Sequence, residues 1–201
     1  MKIPRKNSRK QSSSAAPGAA AKAILDVAER IAQTRGYNGF SYADIAAELG
    51  VTKAGIHYHF PSKAALGCAL IERYEFEFGG ALRSIDQEVS DPRQKLQRYA
   101  DLYESVVRND RLCLCGMLAA EYATLPATMQ EELRRFFDMN ERWLTDVLRE
   151  GQRSGTFDYE ESASERARTI LGSLEGAMLI ARSYGDPQRF RAAAEHVLAD
   201  L

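Results

Sequence analysis

The sequence predicts an all-α protein of about nine helices joined by short turns, and three observations support that fold class. Apolar residues recur at intervals of three and four positions along almost the whole chain of 201 residues. No segment shows the sustained apolar and polar alternation that a half-buried strand requires. Glycine or proline follows most of the periodic stretches, where a helix is expected to end.

The first helix is predicted from the stripe Ile24, Val27, Ala28 and Ile31, and it ends at Gly36. Two short helices follow between Phe40 and Lys63, and a longer one begins at Ser62. The stripes of the longer helix and its successors are Leu66, Leu70 and Ile71; Leu96, Tyr99, Leu102, Tyr103 and Val106; Leu133, Phe136, Phe137, Asn140, Trp143, Leu144, Val147 and Leu148; Ile170, Leu171, Leu174, Ala177, Met178 and Ala181; and Phe190, Ala194, Val197 and Leu198.

Charge is distributed unevenly, although the formal net charge is only −1. Residues 1–65 carry ten Lys and Arg against four Asp and Glu, a net charge of +6. Residues 66–201 carry seventeen against twenty-four, a net charge of −7. A basic N-terminal third on an acidic remainder indicates two functions, and basic segments of this kind often contact nucleic acid. A chance fluctuation is the alternative.

The N-terminus and the cysteines indicate the compartment. Residues 1–18 contain five basic residues, no acidic residue and no apolar stretch, which predicts a flexible basic arm and no signal peptide. No apolar run approaches the ~18 residues of a membrane span. Three cysteines are an odd number without disulfide-scaffold spacing, so we expect a reducing cytoplasm.

The stretch from Phe40 to Lys63 has the pattern of a helix-turn-helix. Ser41 and Asp44 have the spacing of a capping box, and Gly50 can take the positive φ of a tight turn. Ile45, Ala46, Leu49, Val51, Ile56 and Phe60 supply the apolar and small contacts that two crossing helices need. The second helix then presents a polar, basic and aromatic face that suits phosphates and base edges in a major groove.

At these residues the chain resembles the TetR family of bacterial transcriptional regulators. The matching stretch begins at Gly36 and reads GYNGFSYADIAAELGVTKAGIHYHFPSKAAL, of which the ending HFPSKxxL is especially characteristic. The resemblance implies an all-helical homodimer, with a helix-turn-helix domain over 19–65 and a helical ligand-binding and dimerisation domain over 66–201. It also implies DNA contacts from Ser41, Tyr42, Thr52, Lys53, Gly55, His57, Tyr58, His59 and Lys63.

One residue departs from the family pattern. His57 stands where the family usually has Tyr, so a contact by that Tyr hydroxyl does not transfer, although His57 could donate to phosphate or guanine. His57 and His59 point about 200° apart on a helix, so one metal ion cannot easily reach both. We predict no metal site and no cofactor. No catalytic triad pattern, phosphate loop or metal spacing is present in the sequence, so we predict no enzyme activity.

Cys113 and Cys115 lie in the mostly apolar run of residues 112–120 and permit two interpretations. Both can be small core residues. Alternatively, Arg108 and Arg111 lower the pKa of a sensor thiol. The segment CLCGMLAAE resembles a stretch in a subset of TetR-type regulators that respond to electrophiles or oxidants, which would make Cys113 the reactive residue.

The long apolar stripe of the C-terminal domain is the candidate ligand site, because bundle helices commonly line ligand cavities. The candidate ligand residues are Tyr103, Cys113, Met117, Phe137, Asn140, Trp143 and Leu174. They favour a small, largely apolar or electrophilic ligand. Asn140 either orients that ligand or bonds to a neighbouring carbonyl. Gly172, Ser173 and Gly176 permit close helix approach, either at a dimer seam or within one subunit.

The function that these observations favour is a repressor that binds a palindromic operator as a homodimer and is released by a small-molecule or thiol-reactive inducer. The two recognition helices would enter major grooves ~34–36 Å apart. An activator of the same fold is one alternative, and a helical interaction module without DNA is another. We expect no membrane contact.

Overall fold

The computed structural model describes residues 17–201, where it contains nine α-helices, one 3-10 turn and no strand, which confirms the predicted fold class. The helices are α1 Pro17–Arg35, α2 Tyr42–Leu49, α3 Lys53–His59, α4 Lys63–Glu88, α5 Pro92–Arg108, α6 Leu114–Ala120, α7 Ala127–Ser154, α8 Ala163–Ser183 and α9 Pro187–Ala199. The 3-10 turn is Tyr122–Thr124. The predicted basic arm, residues 1–18, lies outside the described residues except for Pro17 and Gly18, which begin α1.

Local capping residues define the ends of the short helices. The Ser41 hydroxyl and the Asp44 carboxylate form the predicted capping box at the start of α2. Gly50 ends α2 with φ 65°, a left-handed conformation that suits glycine. Thr52 caps α3 and Ser62 caps α4, each by accepting a backbone hydrogen bond from three residues ahead.

The longer helices form a bundle that carries most of the core. Helix α8 packs against α7 and α9, and α4 packs against α7. Helix α5 contacts α7, α8 and α9. Helix α1 connects the two parts of the molecule, because it contacts α2 and α3 on one side and α4 and α6 on the other. No helix of residues 17–201 combines the length and apolarity of a membrane span.

Two details of the chain's organisation come only from the structure. The predicted domain boundary between residues 65 and 66 falls within the first turn of α4, so one continuous helix joins the two predicted domains. The apolar run of residues 112–120 forms the short helix α6, whose N-cap is Cys113 and whose C-cap is Glu121. Both caps of α6 make contacts with other helices or their connections: Cys113 lies beside Glu175 of α8, and Glu121 accepts a hydrogen bond from the Tyr37 amide.

Candidate DNA interface and effector region

The two helices of the helix-turn-helix are held together by a small apolar core. Ile45 and Ala46 of α2 and Ile56 of α3 are buried. Phe60, which follows α3, is buried as well. Val51, which the sequence predicts to pack in the turn, is 46% exposed instead. The rigid arrangement of α2 and α3 therefore depends on residues within the helices and on Gly50, and not on Val51.

The polar face of α3 is open. Thr52, Lys53 and Gly55 are exposed at its start, and Tyr58 is 81% exposed at its end. The Thr52 Oγ1 accepts a hydrogen bond from the Gly55 amide at 3.2 Å, which leaves the hydroxyl hydrogen free for another acceptor. A Cβ on Gly55 would come only within 3.6 Å of Thr52 Oγ1, so no contact inside the chain requires glycine there.

Ser41 is exposed at the start of α2, but its polar atoms have partners. The Ser41 hydroxyl donates to Asp44 Oδ2 at 2.7 Å and accepts from the Ala43 amide at 3.2 Å. The Ser41 hydroxyl and amide lower the pKa of Asp44, because they donate hydrogen bonds to its ionised form. Any DNA contact by the Ser41 hydroxyl would compete with this capping box.

Tyr42 is buried within the helix-turn-helix. The resemblance implies that Tyr42 touches phosphate, but its ring is buried and its hydroxyl donates to the Phe60 carbonyl oxygen at 2.9 Å. Burial raises the pKa of Tyr42 to about 12. Tyr42 thus joins α2 to the end of α3 and offers no free side-chain donor to a phosphate.

Lys63 also has partners within the chain. The resemblance implies a phosphate clamp, but the Lys63 ammonium donates to the carbonyl oxygens of Tyr37 and Phe40, each at 2.5 Å. It also lies 4.5 Å from the centroids of both of those rings, a cation–π geometry. Lys63 holds the connection between α1 and α2 against the start of α4, and partial burial lowers the pKa of its ammonium.

The two histidines of α3 differ in their surroundings. The exposed His57 ring packs against the Tyr42 ring with centroids 4.6 Å apart, and His57 Nδ1 lies 3.3 Å from the Pro61 carbonyl oxygen. The partly exposed His59 ring makes an edge contact with Tyr58 at 5.1 Å between centroids. His57 is therefore held by its neighbours on one side and free on the other.

In the C-terminal bundle, Asn140 has two partners within the protein. Asn140 is fully buried, and its Oδ1 accepts from the Tyr99 hydroxyl at 2.9 Å. Its Nδ2 donates to the Phe136 carbonyl oxygen at 2.9 Å. The Tyr99 and Tyr103 hydroxyls share a further hydrogen bond of 3.1 Å. In this conformation Asn140 therefore bonds to a neighbouring carbonyl, which is one of its two interpretations.

The other candidate ligand residues belong to the same core. Tyr103 and Leu174 are buried, and Met117, Phe137 and Trp143 pack partly buried around them. The Trp143 ring stacks on Tyr99 at 5.3 Å between centroids, and its indole nitrogen donates to Asp86 Oδ2 at 2.9 Å. The structure therefore places these side chains in or against one aromatic core.

Cys113 is buried, and of its two interpretations the one in which nearby arginines lower its pKa is wrong. Burial raises the pKa of the Cys113 thiol well above its usual value, and the adjacent Glu175 carboxylate raises it further. Arg108, which was expected to lower that pKa, pairs with Glu104 at 2.7 Å instead. The Sγ of Cys113 accepts a hydrogen bond from the Gly116 amide at 3.5 Å, so the thiol caps α6.

Glu175 on α8 is a polar core residue that the sequence analysis missed. Its Oε1 is buried without a hydrogen-bond partner, and its Oε2 packs against the Cα of Gly116, where a Cβ would collide with it. Burial raises the pKa of Glu175 to about 7. A glutamate four positions after Leu171 and one after Leu174 was the available signal, because that spacing places it next to the apolar stripe.

A second missed residue, Glu121, joins the two parts of the molecule. Its Oε2 accepts from the Tyr37 amide at 2.5 Å, and its carboxylate also accepts from the Asn38 amide at 3.3 Å. The Asn38 Nδ2 donates to Thr124 Oγ1 at 2.8 Å. The C-terminal end of α6 therefore holds the α1–α2 connection, and local sequence offers no signal for a contact across 84 positions.

Helix α8 also contacts the C-terminal end of α1. Arg182 donates to the carbonyl oxygens of Gln33 and Thr34 at 2.9 and 3.1 Å, and the Leu112 amide donates to the same Gln33 oxygen at 3.2 Å. Cationic side chains suit the carbonyl end of a helix. Helices α2 and α3 are thus attached to α6 and α8 through the end of α1.

The solvent-exposed face of α8 carries two large apolar side chains and two glycines. Leu179 is 47% exposed and Ile180 is 57% exposed. A Cβ added to Gly172 or Gly176 would meet no heavy atom within 4 Å. Packing within one subunit, the alternative left open by the sequence, therefore does not account for these two glycines.

A separate cleft of about 480 Å³ opens between α5 and α9. Its polar lining includes Arg93, Asp101, Glu104 and Arg191, and the Arg191 guanidinium lies 2.9 Å from Glu104 Oε1. None of the seven candidate ligand residues lines this cleft. The cleft and the aromatic core are therefore different regions.

Comparison with known families and proteins agrees with this architecture. Residues 24–69 match the model of the bacterial regulatory proteins of the tetR family, and residues 92–197 match the tetracyclin repressor-like C-terminal domain. The HTH-type transcriptional repressor DhaR of Mycobacterium sp. (strain GP1) is 27% identical over 161 residues, which cover 78% of this chain and 79% of DhaR.

Two solved structures have the same fold and more than 30% identity. A TetR-family transcriptional regulator from Agrobacterium tumefaciens is 34% identical with a TM-score of 0.90, over 92% of this chain and 99% of that one. A TetR transcriptional regulator from Legionella pneumophila is 32% identical with a TM-score of 0.81, over 92% and 97% of the two chains. The chain therefore belongs to the TetR family of transcriptional regulators, a family of DNA-binding proteins and not of enzymes.

Proposed function

We propose that this regulator is a cytoplasmic repressor that binds a palindromic operator as a homodimer and leaves it when an inducer alters the C-terminal bundle. The observation that carries the proposal is the open polar face of α3, with Thr52, Lys53 and Tyr58 exposed on a helix whose other face is buried. Those side chains supply donors and a positive charge for phosphates and base edges. The relative DhaR is itself named a repressor.

The outer face of α8 supports the homodimer. Glycine inside a helix costs about 0.5–1 kcal/mol relative to alanine, so Gly172 and Gly176 need a compensating role. Within residues 17–201 no neighbour supplies one, because a Cβ at either position would meet no heavy atom within 4 Å. Exposed Leu179 and Ile180 on the same helix would be covered when two α8 helices approach closely.

A matched pair of glycine substitutions tests the dimer seam. Gly176→Ala places a methyl group in the seam and should weaken dimerisation. Gly80→Ala in α4 is the control, because the added Cβ would have only an ordinary contact of 3.7 Å with Arg83. Sedimentation velocity measures the monomer fraction of each variant. A Gly176→Ala protein that dimerises as the wild type does would contradict the seam.

The contacts around α6 support a route from the bundle to the DNA-binding helices. Cys113 caps one end of α6 and lies beside Glu175, while Glu121 at the other end holds the Tyr37 and Asn38 amides. A ligand or a modification that displaces α6 would move the α1–α2 connection and hence α3. Typical couplings of this kind are ~1–3 kcal/mol, or 5- to 150-fold in DNA affinity.

The inducer would act in the aromatic core through Tyr103, Met117, Phe137, Asn140, Trp143 or Leu174, or by modification of Cys113. In the second case the Cys113 sulfur adds to a carbon of a C=C or C=O bond while the S–H proton passes to Glu175. The π bond of the electrophile opens, and the resulting enolate or alkoxide takes up a proton from Glu175 or solvent. Because the thiol is buried in this conformation, the reaction requires α6 to move. Its raised pKa predicts slow modification until that movement occurs.

The DNA-binding part of the proposal is tested by a gel shift with DNA from the gene's own upstream region. We expect a complex that weakens as salt is raised, because phosphate contacts release counterions. Replacement of Lys53 by Ala should weaken the complex, whereas replacement of Lys22, an exposed residue of α1 paired with Asp26, is the control. Transcription in vitro from the same fragment should fall when protein is added; an increase would indicate an activator.

The thiol-reactive part is tested with Cys113→Ser, with Cys68→Ser as the control. Wild type and Cys68→Ser should release DNA after treatment with a quinone or a reactive aldehyde, and Cys113→Ser should stay bound. Release of DNA from the Cys113→Ser protein at the wild-type rate would eliminate Cys113 as the sensor.

A further inference from the structure

The imidazole of His57 is oriented by two neighbours. Its ring packs against Tyr42 of α2 with 4.6 Å between centroids and an angle of 59° between planes. Its Nδ1 lies 3.3 Å from the carbonyl oxygen of Pro61, in the connection between α3 and α4. The ring is otherwise exposed on the face of α3 that carries Thr52 and Lys53.

The contact with Pro61 assigns a tautomer to the neutral ring. A carbonyl oxygen can only accept a hydrogen bond, so Nδ1 must carry the hydrogen and donate it to Pro61. In a neutral imidazole the other nitrogen, Nε2, is then an acceptor. Phosphate oxygens and the N7 and O6 atoms of guanine are also acceptors. A neutral His57 therefore has no donor for the DNA backbone.

We propose that His57 takes up a proton when α3 binds DNA, and that the resulting Nε2–H donates to a phosphate oxygen. This step rests on the proposed binding of DNA by α3. The proton comes from solvent, binds to the lone pair of Nε2, and makes the ring an imidazolium with two donors. The phosphate stabilises that charge, so DNA affinity becomes linked to pH.

The charged and titratable groups of α2 and α4 near α3 have partners of their own within the protein. On α2, Asp44 is engaged by Ser41, Glu48 pairs with Arg30 of α1, and the Tyr42 hydroxyl donates to Phe60. On α4, the Lys63 ammonium is turned toward the α1–α2 connection. On α3 itself, Lys53 lies one turn before His57 and opposes a second positive charge until phosphate is present.

The thermodynamic linkage between proton uptake and DNA binding gives the size of the expected change in affinity with pH. Uptake of one proton per subunit on binding makes the affinity fall by up to about tenfold per subunit for each rise of one pH unit. Imidazole changes its charge between about pH 5 and pH 8. The extra phosphate contact should also steepen the salt dependence by about 0.9 per subunit in the protonated state.

The experiment measures binding of the full chain to a fluorescent duplex from its own upstream region, between about pH 6 and pH 8.5, the range that brackets imidazole titration. Wild type should lose affinity as pH rises. His57→Tyr should bind with little pH dependence, because a phenol hydroxyl donates at every pH in this range. His196→Gln, in the last turn of α9 and outside the helix-turn-helix, is the control and should keep the wild-type slope. His59→Gln tests the second histidine of α3, and circular dichroism checks the fold of each variant.

The outcomes separate this proposal from the proposed function. A wild-type protein that binds tightly with a flat pH profile, or a His57→Tyr protein with the wild-type slope, overturns proton uptake at His57 and leaves DNA binding intact. A wild-type protein that binds no DNA at any pH contradicts the proposed function, and this proposal with it. A slope that disappears only in His59→Gln assigns the proton to the wrong histidine and also overturns the proposal.

Discussion

The exposed polar residues of the helix-turn-helix and the buried tyrosines of the C-terminal bundle find their hydrogen-bond partners at different distances along the chain. In the first, Ser41 bonds to Asp44 and Thr52 bonds to Gly55, so each partner is three positions away. In the second, Tyr99 bonds to Asn140 across 41 positions. Local partners leave the face of α3 free for DNA, whereas distant partners close the bundle around its own aromatic rings. The polar face of the helix-turn-helix is therefore ordered by local contacts, and the core of the C-terminal bundle by contacts between helices.

The largest expected change in the free energy of unfolding follows from removing a buried aromatic ring of the bundle, and removing an exposed ring of the helix-turn-helix is the comparison. Phe136 is fully buried and contacts the rings of Tyr74 and Phe78, so Phe136→Ala should lower the free energy of unfolding by ~3–5 kcal/mol. Tyr58→Ala removes an exposed ring and should change it by no more than ~0.5 kcal/mol. Urea denaturation measures both, and an equal loss in the two variants would contradict the comparison.

The next effect concerns the buried carboxylate of the bundle. The pKa of Glu175 rises from its usual 4.5 to about 7, so the folded state holds a proton that the unfolded state releases. The contribution of Glu175 to the free energy of unfolding is therefore most favourable below pH 4.5. It falls by roughly 3 kcal/mol as pH rises toward 7.

The variant Glu175→Gln tests that sign. It should be less sensitive to pH than the wild type between pH 4.5 and 7, and more stable relative to the wild type at the upper end of that range. Urea midpoints at several pH values measure the difference, which removes the contributions of other groups. A wild type that gains stability over the Gln variant as pH rises would show that Glu175 is paired in solution.

A smaller effect tests the junction between the regions. Gly36 has φ 80°, and a Cβ there would come 2.8 Å from Glu121 Oε1. Gly36→Ala should therefore cost ~1–3 kcal/mol of stability and loosen the contact between α6 and the α1–α2 connection. Gly50→Ala is the matched control, because Gly50 also has positive φ but open space around it. Loss of inducer response only in Gly36→Ala would place the coupling at Glu121.

The smallest effect concerns the hydroxyl of the buried network. Tyr103→Phe removes a hydroxyl that shares a hydrogen bond with Tyr99, and Tyr99 keeps its bond to Asn140. We expect a loss of ~0.5–1.5 kcal/mol. Thermal unfolding followed by circular dichroism measures it. A loss as large as that of Phe136→Ala would show that the network, and not the rings, dominates the stability of the bundle.

The sequence predicted the fold class and the helix-turn-helix correctly because both depend on interactions between residues a few positions apart. The capping box of Ser41 and Asp44 and the positive φ of Gly50 are present where the pattern indicated them. The roles of Tyr42 and Lys63 were not predictable in this way. Their actual partners, Phe60, Tyr37 and Phe40, lie 18 to 26 positions away, so only packing decides whether these side chains face DNA.

The sequence by itself determined the helices, their caps and the basic face of α3, because helix periodicity, capping and charge are local properties of the chain. Only the tertiary structure decided what the buried polar groups do. It raised the pKa of Cys113 by enclosing the thiol with Glu175, and it joined Glu121 to the Tyr37 amide. Those outcomes depend on desolvation and on contacts between helices, which no stretch of local sequence specifies.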